Sequence, residues 1–254
     1  MTLHSRIFPV LLIRDQGLVK TRRFGEDRYV GDPMNAVKIF NEKQVDELAI
    51  FDIDATVQGR EPDFAQLEKI AVESRMPLCY GGGVTTAEQA ARLVSIGYEK
   101  VSISAAALDR PELIAEMAER IGRQSVVVTL DVRKEGLLGN HNLYTHNATK
   151  KQSAKAIDFA ARAEELGAGE IVINSIDRDG MTDGYDLKFA KAVRDTVNVP
   201  LSFVGGAGSI ADMAKLIDAV GTVGAGAGSM FVFKGPYRAV LISYDRPDNA
   251  REMT

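Results

Sequence analysis

The residues best suited to chemistry in this sequence are carboxylates at the ends of short apolar runs. Asp131 ends the run Val126–Asp131, Asp52 ends another, and Asp177 and Asp179 follow a third. A carboxylate at the end of a buried strand can act as a general acid or base, because burial and neighbouring charges move its pKa toward neutrality. Each of these carboxylates could instead hold loop backbone or cap a helix.

Three glycine-rich clusters indicate a second kind of site. Gly81–Gly83, Gly205–Gly208 and Gly226–Ser229 each follow an apolar run. Glycine lets the backbone approach an anion closely, and a following helix offers unpaired N–H groups. Tight turns would also use glycine, but three such clusters favour phosphate binding. Two phosphate sites across one opening would suit a long bisphosphate substrate, with Ser102 and Ser104 as additional hydroxyl donors.

These residues need a fold that gathers the ends of many strands at one opening. Short β-branched runs alternate with amphipathic segments, a pattern that predicts parallel βα units. Eight units in 254 residues predict a single α/β (β/α)8 TIM barrel, whose catalytic face is formed by the loops after the strands. An open doubly wound sheet is the alternative, but no G-x-G-x-x-G turn follows the first run. The predicted strands are Ile7–Ile13, Leu48–Ile53, Leu78–Tyr80, Val101–Ser104, Val126–Asp131, Ile171–Asn174, Leu201–Val204 and Val223–Ala227. The predicted helices are Asp63–Glu73, Ala87–Ile96, Pro111–Ile121, Ala154–Leu166, Leu187–Thr196 and Ile210–Val220.

An internal repeat supports the barrel prediction. Pro77-Leu-Cys-Tyr-Gly-Gly-Gly recurs as Pro200-Leu-Ser-Phe-Val-Gly-Gly. We therefore predict one domain, residues 1–254, built from two similar half-barrels at about 1–122 and 123–254.

The same repeat places Leu12 at the position that corresponds to Asp131. Leucine cannot transfer a proton. The predicted site therefore has one strand-end carboxylate where a symmetric barrel could have two.

Two long segments follow predicted strands, at about Arg14–Asp32 and Arg133–Lys151. Both lie on the predicted catalytic face, where long loops often act as lids or ligand contacts. His141 and His146 lie in the second segment and could touch ligand, although surface positions are the favoured interpretation. Tyr80 is expected to pack in the barrel mouth.

Four charged residues stand just before predicted strands, at the end of the barrel away from the catalytic face. They are Arg6, Glu47, Lys100 and Glu170. Two charges of each sign could close a salt-bridged ring across the barrel floor. On spacing alone, a solvated rim is the favoured interpretation, because surface ion pairs are common and weak.

Composition restricts the possible partners. A net charge of −4 argues against nucleic acid as a partner, since binders that neutralise phosphates are usually basic. The single cysteine, Cys79, excludes an internal disulfide and suits a reducing cytoplasm. One cysteine and three histidines make a Cys/His metal site untenable, so we expect no metal and no cofactor. The longest apolar run is too short to span a membrane.

Together these residues resemble the cyclase subunit of imidazole glycerol phosphate synthase, a (β/α)8 barrel that works with a glutaminase. The resemblance extends from Arg6 to about Phe233. The motifs that carry it are Asp46-Glu47-Leu48, Tyr80-Gly-Gly-Gly83, Lys100-Val-Ser-Ile103, Gly167-Ala-Gly-Glu170, Ser175-Ile-Asp-Arg-Asp-Gly180, Asp183-Gly-Tyr-Asp186 and Gly205-Gly-Ala-Gly208.

The resemblance implies a role for each matching residue. The four basal charges match the family's ammonia gate, and Glu99 and Gln124 match positions that face the glutaminase in a heterodimer. Asp131 matches a catalytic aspartate, the general acid of ring formation and cleavage, and a small phosphorylated substrate binds at the mouth. The positions expected to bind that substrate are Lys20, Asp52, Gly82, Gly83, Ser104, Asp179, Gly180, Gly205, Gly206, Gly228 and Ser229.

The sequence also departs from the family at the mouth. Leu12 stands where the family has its second catalytic aspartate, the base. The remaining departures are Ser104 and Ala105 for an Asn-Thr pair, Val204 for serine, Asn174 for threonine, and a final helical region that ends Ser243-Tyr-Asp-Arg-Pro-Asp.

A matched floor with an altered mouth resembles a divergent branch of this family, encoded in bacterial surface-polysaccharide gene clusters. There the barrel works with a glutaminase and a sugar amidotransferase that converts an acetamido group into an acetamidino group. Two alternatives stay open: a histidine-pathway cyclase that uses Asp52 or Asp179 as its base, and a non-catalytic scaffold that activates the glutaminase. The related sugar-phosphate isomerase is less favoured, since it would not need the four basal charges.

Overall fold

Eight parallel strands close into a barrel in the computed structural model, which describes residues 4–136 and 139–244. Each strand pairs with the next along the chain, and the eighth returns to the first through Arg6 and Gly224. The predicted (β/α)8 TIM barrel is confirmed, while the division into half-barrels stays a prediction. The first to eighth barrel strands are Arg6–Arg14, Leu48–Asp52, Leu78–Gly81, Lys100–Ile103, Val126–Glu135, Glu170–Ser175, Leu201–Val204 and Gly224–Ala227.

Amphipathic helices cover the outside of the barrel. Side chains fix where several of them begin: Asp32 accepts a hydrogen bond from the N–H of Asn35, and Thr86 and Gln89 form a capping box. None of the helices within the described ranges is long and apolar enough to cross a membrane. The longer helices are Pro33–Glu42, Phe64–Glu73, Ala87–Ser95, Glu112–Ile121, Ala156–Glu165, Leu187–Arg194 and Ile210–Val220, and the short ones are Ala105–Asp109 and Ser229–Val232.

The strands separate two layers of apolar side chains, because alternate residues of a strand point to opposite faces. One layer packs between strands and helices. Tyr80 belongs to this layer, with its ring edge-on to Tyr98 at 5.8 Å between centroids. The expectation that Tyr80 packs in the mouth is wrong, because its strand neighbours Cys79 and Gly81 take the inward positions. The other layer fills the lumen with Phe8, Val10, Ala49, Cys79, Val127 and Val172.

The two long segments predicted as loops are antiparallel extensions of barrel strands. The first barrel strand pairs with Gly17–Thr21, which pairs with Asp27–Gly31. The fifth barrel strand likewise continues into Asn140–Thr145 and Lys150–Lys155. Both extensions rise from the catalytic face and wall the mouth.

Beyond the short helix Ser229–Val232 the described chain forms a small hairpin, in which Phe233–Lys234 pairs with Ala239–Val240. The predicted degradation of the final helical region, which ends at the motif Ser243–Asp248, stays a prediction. The end of that motif, residues 245–248, lies outside the described residues.

Candidate functional site

Four charged side chains, three of them buried and Arg6 29% exposed, close the barrel floor in a ring of alternating sign, which we call the floor ring. Arg6 donates hydrogen bonds to Glu47 Oε2 at 2.8 Å and to Glu170 Oε1 at 2.7 Å. On the other side Lys100 Nζ lies 2.8 Å from Glu47 Oε2 and 2.9 Å from Glu170 Oε2. Ser202 adds a hydroxyl that donates to Glu170.

Burial distinguishes the floor ring from a solvated rim. Lys100 is 7% exposed, Glu47 5% and Glu170 4%. Burial alone would lower the pKa values of Arg6 and Lys100. The charges of Glu170 and Glu47 outweigh this effect and hold both pKa values above their ordinary values. Burial is likewise outweighed at Glu170, where Arg6 and Lys100 hold the pKa below its ordinary value. The rim favoured on spacing alone is therefore wrong, and the ring is an internal ion-pair network.

Above the floor ring the lumen is apolar. Phe8 fills space that the glycines of the eighth strand leave open: a Cβ at Gly226 would lie 2.8 Å from the Phe8 ring. Higher in the lumen, Ser102 Oγ and Thr129 Oγ1 share a hydrogen bond of 2.7 Å. A small neutral molecule would therefore meet apolar groups first and hydroxyls second.

The mouth at the opposite end brings the predicted site residues together. Leu12 and Asp131 both line it. All eleven positions predicted to bind substrate also line it: Lys20, Asp52, Gly82, Gly83, Ser104, Asp179, Gly180, Gly205, Gly206, Gly228 and Ser229.

Asp131 is the carboxylate best placed for proton transfer. Burial raises its pKa to about 7, with Asp179 contributing, although the hydrogen bond from Asn174 opposes the shift. Asn174 Nδ2 lies 2.8 Å from Asp131 Oδ1. Leu12 stands across the lumen, because the first and fifth of eight strands are opposite. The mouth thus has a carboxyl group with a pKa of about 7 on one side and an alkyl side chain on the other.

The other strand-end carboxylates hold loop backbone. Asp52 Oδ1 accepts hydrogen bonds from the N–H groups of residues 54 and 55. Asp179 accepts from Thr21 Oγ1 at 2.6 Å and from the N–H of Phe24. Asp177 accepts from the N–H of Lys134 at 2.7 Å. The sequence left open whether these three carboxylates do chemistry or hold loop backbone, and their geometry fits the second role.

Lys20 reaches the mouth from the first extension. It is 5% exposed, and its Nζ donates to the carbonyl oxygen of Val10. Burial lowers the pKa of Lys20 to about 8, against the opposing charge of Asp179. A buried ammonium with so little compensation suits an anionic ligand.

The glycine loops are needed for close backbone approach. Gly206 has a φ of +113°, and a Cβ there would lie 2.1 Å from the carbonyl oxygen of Gly184. Tight turns therefore account for part of the glycine pattern.

At the other end of the mouth, the Ser104 hydroxyl is buried with no hydrogen-bond partner within the described chain. A ligand atom could satisfy it.

The two histidines differ from each other. His146 lines the mouth. His141 is not a surface residue, since its side chain is 18% exposed, pairs with Asp186 at 3.0 Å and stacks on Phe189. The hydrogen bond from His141 lowers the pKa of Asp186 to about 2. This contact fastens the second extension to the start of helix Leu187–Arg194.

Sequence reasoning missed two arginines near the mouth. Arg14 lines it and is held by Asp54 and Asp27, each at 3.0 Å. Arg238 donates to the carbonyl oxygen of Gly180 and to Ser229 Oγ. Neither lies in a recognisable motif, although Arg14 ends the first strand and could have been suspected from that position.

Glu99 and Gln124, predicted to face a glutaminase, are exposed at the floor end of the barrel. Glu99 directly precedes Lys100, and Gln124 lies in the turn before the fifth strand. No group of three or more His, Cys, Asp or Glu residues that could hold a metal ion occurs in the part of the chain that the structure describes.

Comparison with known proteins gives consistent similarities. The family model "Histidine biosynthesis protein" matches residues 6–237. A Vibrio vulnificus protein, named provisionally an imidazole glycerol phosphate synthase subunit hisF3, is 54% identical over 250 residues, 98% of this chain and 96% of that protein. A Leptospira borgpetersenii protein with a similar provisional name, subunit HisF, is 48% identical over 95% of each chain. The Streptomyces coelicolor imidazole glycerol phosphate synthase subunit HisF is 41% identical over 86% of this chain and 87% of that protein.

Proposed function

The chain belongs to the histidine biosynthesis protein family, and from that premise we propose that it is the ammonia-accepting, cyclase-like subunit of a cytoplasmic glutamine amidotransferase complex. Its similarity to HisF subunits supports the cyclase-like part and implies a glutaminase partner. The observation that carries the proposal is the closed floor ring beneath an apolar lumen, with Leu12 opposite Asp131 at the mouth.

Ammonia from the glutaminase enters at the floor. The floor ring excludes bulk water while it is closed, and one of its ion pairs must separate for ammonia to pass. Lys100 is suited to this movement, because an ammonium on a flexible four-carbon stem exchanges partners more easily than a fixed guanidinium fork. The apolar lumen then favours neutral ammonia over ammonium, because burying an unpaired charge is very unfavourable.

At the mouth Asp131 acts as the general acid. With a pKa of about 7, it is partly protonated near neutral pH and can donate a proton to a bound phosphorylated substrate. Leu12 cannot accept one on the opposite side. Ring-forming chemistry that needs both an acid and a base is therefore slowed by about 10²–10⁴-fold.

Ring formation is expected to be slow, whereas the floor ring keeps all four charges of the family's ammonia gate. This combination favours ammonia delivery as the principal role of the barrel. We infer that the recipient is a sugar amidotransferase that converts an acetamido group into an acetamidino group in surface-polysaccharide biosynthesis. A histidine-pathway cyclase is the second candidate, favoured by the pKa of Asp131. Its substitute base would have to be Asp52 or Asp179, and both carboxylates already accept hydrogen bonds from loop N–H groups. A non-catalytic scaffold would require that Asp131→Asn leave the product yield of the full pathway unchanged.

Complex formation tests the proposal. Titration calorimetry with the cognate glutaminase should give a complex of one barrel to one glutaminase. Glu99→Lys should weaken it, because it reverses a charge at the floor end. Glu61→Lys, the same change at an exposed position on the opposite end, is the matched control and should bind like the wild type. No measurable complex with the wild-type barrel would rule the proposal out.

A further inference from the structure

Two cations flank the loop Gly228–Ser229 at one end of the mouth. Lys20 packs against Gly228, where an added Cβ would lie 2.2 Å from its Nζ. On the other side Arg238 lies beside Ser229, with Nη2 3.4 Å from Ser229 Oγ and Nη1 3.2 Å from the carbonyl oxygen of Gly180. Gly180, Gly228 and Ser229 all line the mouth.

Neither cation has a carboxylate partner within 4 Å among the described residues. The nearby Asp179 carboxylate accepts hydrogen bonds from Thr21 and Phe24 instead. At the other end of the mouth the charge is compensated, because Arg60 lies 3.5 Å from Asp52. Two cations that form no direct ion pair are therefore concentrated around Gly228 and Ser229, with the charge of Asp179 nearby.

The protein holds Arg238 in place. The guanidinium lies over the Phe233 ring, 4.6 Å from its centroid. Arg28, whose Nη1 donates to the carbonyl oxygen of Arg238 at 2.9 Å, packs over the same ring. Because Ser229 Oγ accepts from Arg238, its own O–H is left to donate to another acceptor. An anion in the mouth would supply that acceptor.

We propose that Arg238 is a ligand-binding residue of the mouth, which with Lys20 and Ser229 holds a dianionic phosphoryl group at the Gly228 end. A guanidinium fork matches phosphate oxygens and makes strong charge-assisted hydrogen bonds. Arg238 lies just beyond residues 6–237, the segment that the family model matches. The inference rests on the proposed function, because it takes the substrate to be phosphorylated. It adds that one phosphoryl group of that substrate is bound by Arg238, a residue outside the family motifs.

Calorimetric titration with inorganic phosphate tests the assignment. Arg238→Gln removes a charged hydrogen-bond donor and should therefore bind phosphate at least about tenfold more weakly than the wild type. Ser229→Ala should weaken phosphate binding at the same site. Arg238→Lys keeps the charge and should lose less. Arg120→Gln is the matched control: it removes an exposed guanidinium from helix Glu112–Ile121, away from the mouth, and should bind phosphate like the wild type.

The outcomes separate this inference from the proposed function. If Arg238→Gln and Arg238→Lys both bind phosphate like the wild type, Arg238 is not a ligand-binding residue, while binding to the glutaminase is unaffected. If the wild type binds no phosphate at millimolar concentrations, the assignment and the phosphorylated substrate both fail. If Arg120→Gln loses as much affinity as Arg238→Gln, the loss reflects the overall charge of the protein and not a site at Arg238, which also overturns the assignment.

Discussion

Replacing Lys100 by methionine is the sharpest test of the floor ring. Lys100→Met keeps the stem but removes the ammonium from between Glu47 and Glu170, leaving two buried carboxylates with Arg6 alone. Removing one partner of a buried ion pair destabilises a protein by about 3–5 kcal/mol. Because Arg6 still contacts both carboxylates, we expect the lower end, about 3 kcal/mol. For a chain of this size that lowers Tm by about 6–12 °C.

The loss should depend on pH with a definite sign. Arg6 and Lys100 hold the pKa of Glu170 below its ordinary value. The stability that Glu170 contributes is therefore present above about pH 4.5 and disappears as the pH falls through the lowered folded-state pKa. In Lys100→Met, Glu170 loses one of the two cations that lower its pKa and takes up a proton at higher pH than in the wild type. The loss of stability relative to the wild type should therefore be largest near pH 7 and should shrink toward pH 4.5.

Two assays measure the effect. Urea unfolding gives the free energy, and the chain's single cysteine, Cys79, reports local opening. Cys79 lies in the lumen beside Lys100 in the strand register, so its reaction with a small methanethiosulfonate reports access past the floor. A loss of about 3 kcal/mol in opening free energy speeds labelling about 100-fold.

An exposed lysine supplies the control. Lys215 pairs with Asp212 at 3.5 Å and is 66% exposed at its side chain, so Lys215→Met should change stability by less than about 0.5 kcal/mol. If Lys100→Met is as stable as Lys215→Met and Cys79 labels at the wild-type rate, the floor ring is not a buried ion-pair network.

Further substitutions test the mouth and the lumen. Leu12→Asp should raise ammonia-dependent turnover of the family's bisphosphate intermediate by about 10²–10⁴-fold. If the wild type turns over this intermediate as fast as Leu12→Asp, the histidine-pathway cyclase is favoured. Asp131→Asn should lower product formation by a similar factor, and wild-type activity should fall as the pH rises through about 7, since the protonated acid is the active form. Asn174→Leu should move that fall to higher pH, because it removes the hydrogen bond that lowers the pKa of Asp131; an unmoved profile would exclude Asn174 from this role. Gly226→Leu should destabilise the barrel by about 1–3 kcal/mol through collision with Phe8, and Phe8→Ala should relieve part of it in a double-mutant cycle followed by urea unfolding.

The sequence predicts the barrel well because each strand is a continuous apolar run between amphipathic segments. It does not predict the antiparallel extensions after the first and fifth strands, since segments such as Lys150–Lys155 are polar and gain their pairing only from an existing edge. Helix Pro33–Glu42 escaped prediction as well, although Asp32 before Pro33 is a helix-start signal.

The candidate site was predictable in position but not in every role. Strand ends place Asp131 and Leu12 correctly, because topology alone brings strand termini together. Spacing could not decide that the floor ring is buried, since burial depends on how closely the strands converge. Arg238 could not be found from sequence, because a two-strand hairpin far along the chain brings it beside Gly180 and Ser229, which line the mouth.

Stimulation of the glutaminase tests the account's central claim most directly. Glutamine hydrolysis by the cognate glutaminase is measured while the barrel is titrated in, with glutamate as the readout. We predict that the rate rises and saturates at one barrel per glutaminase, and that Glu99→Lys needs a higher concentration to reach the same rate. A glutaminase rate that stays unchanged at saturating wild-type barrel would contradict the claim that this barrel receives ammonia at its floor.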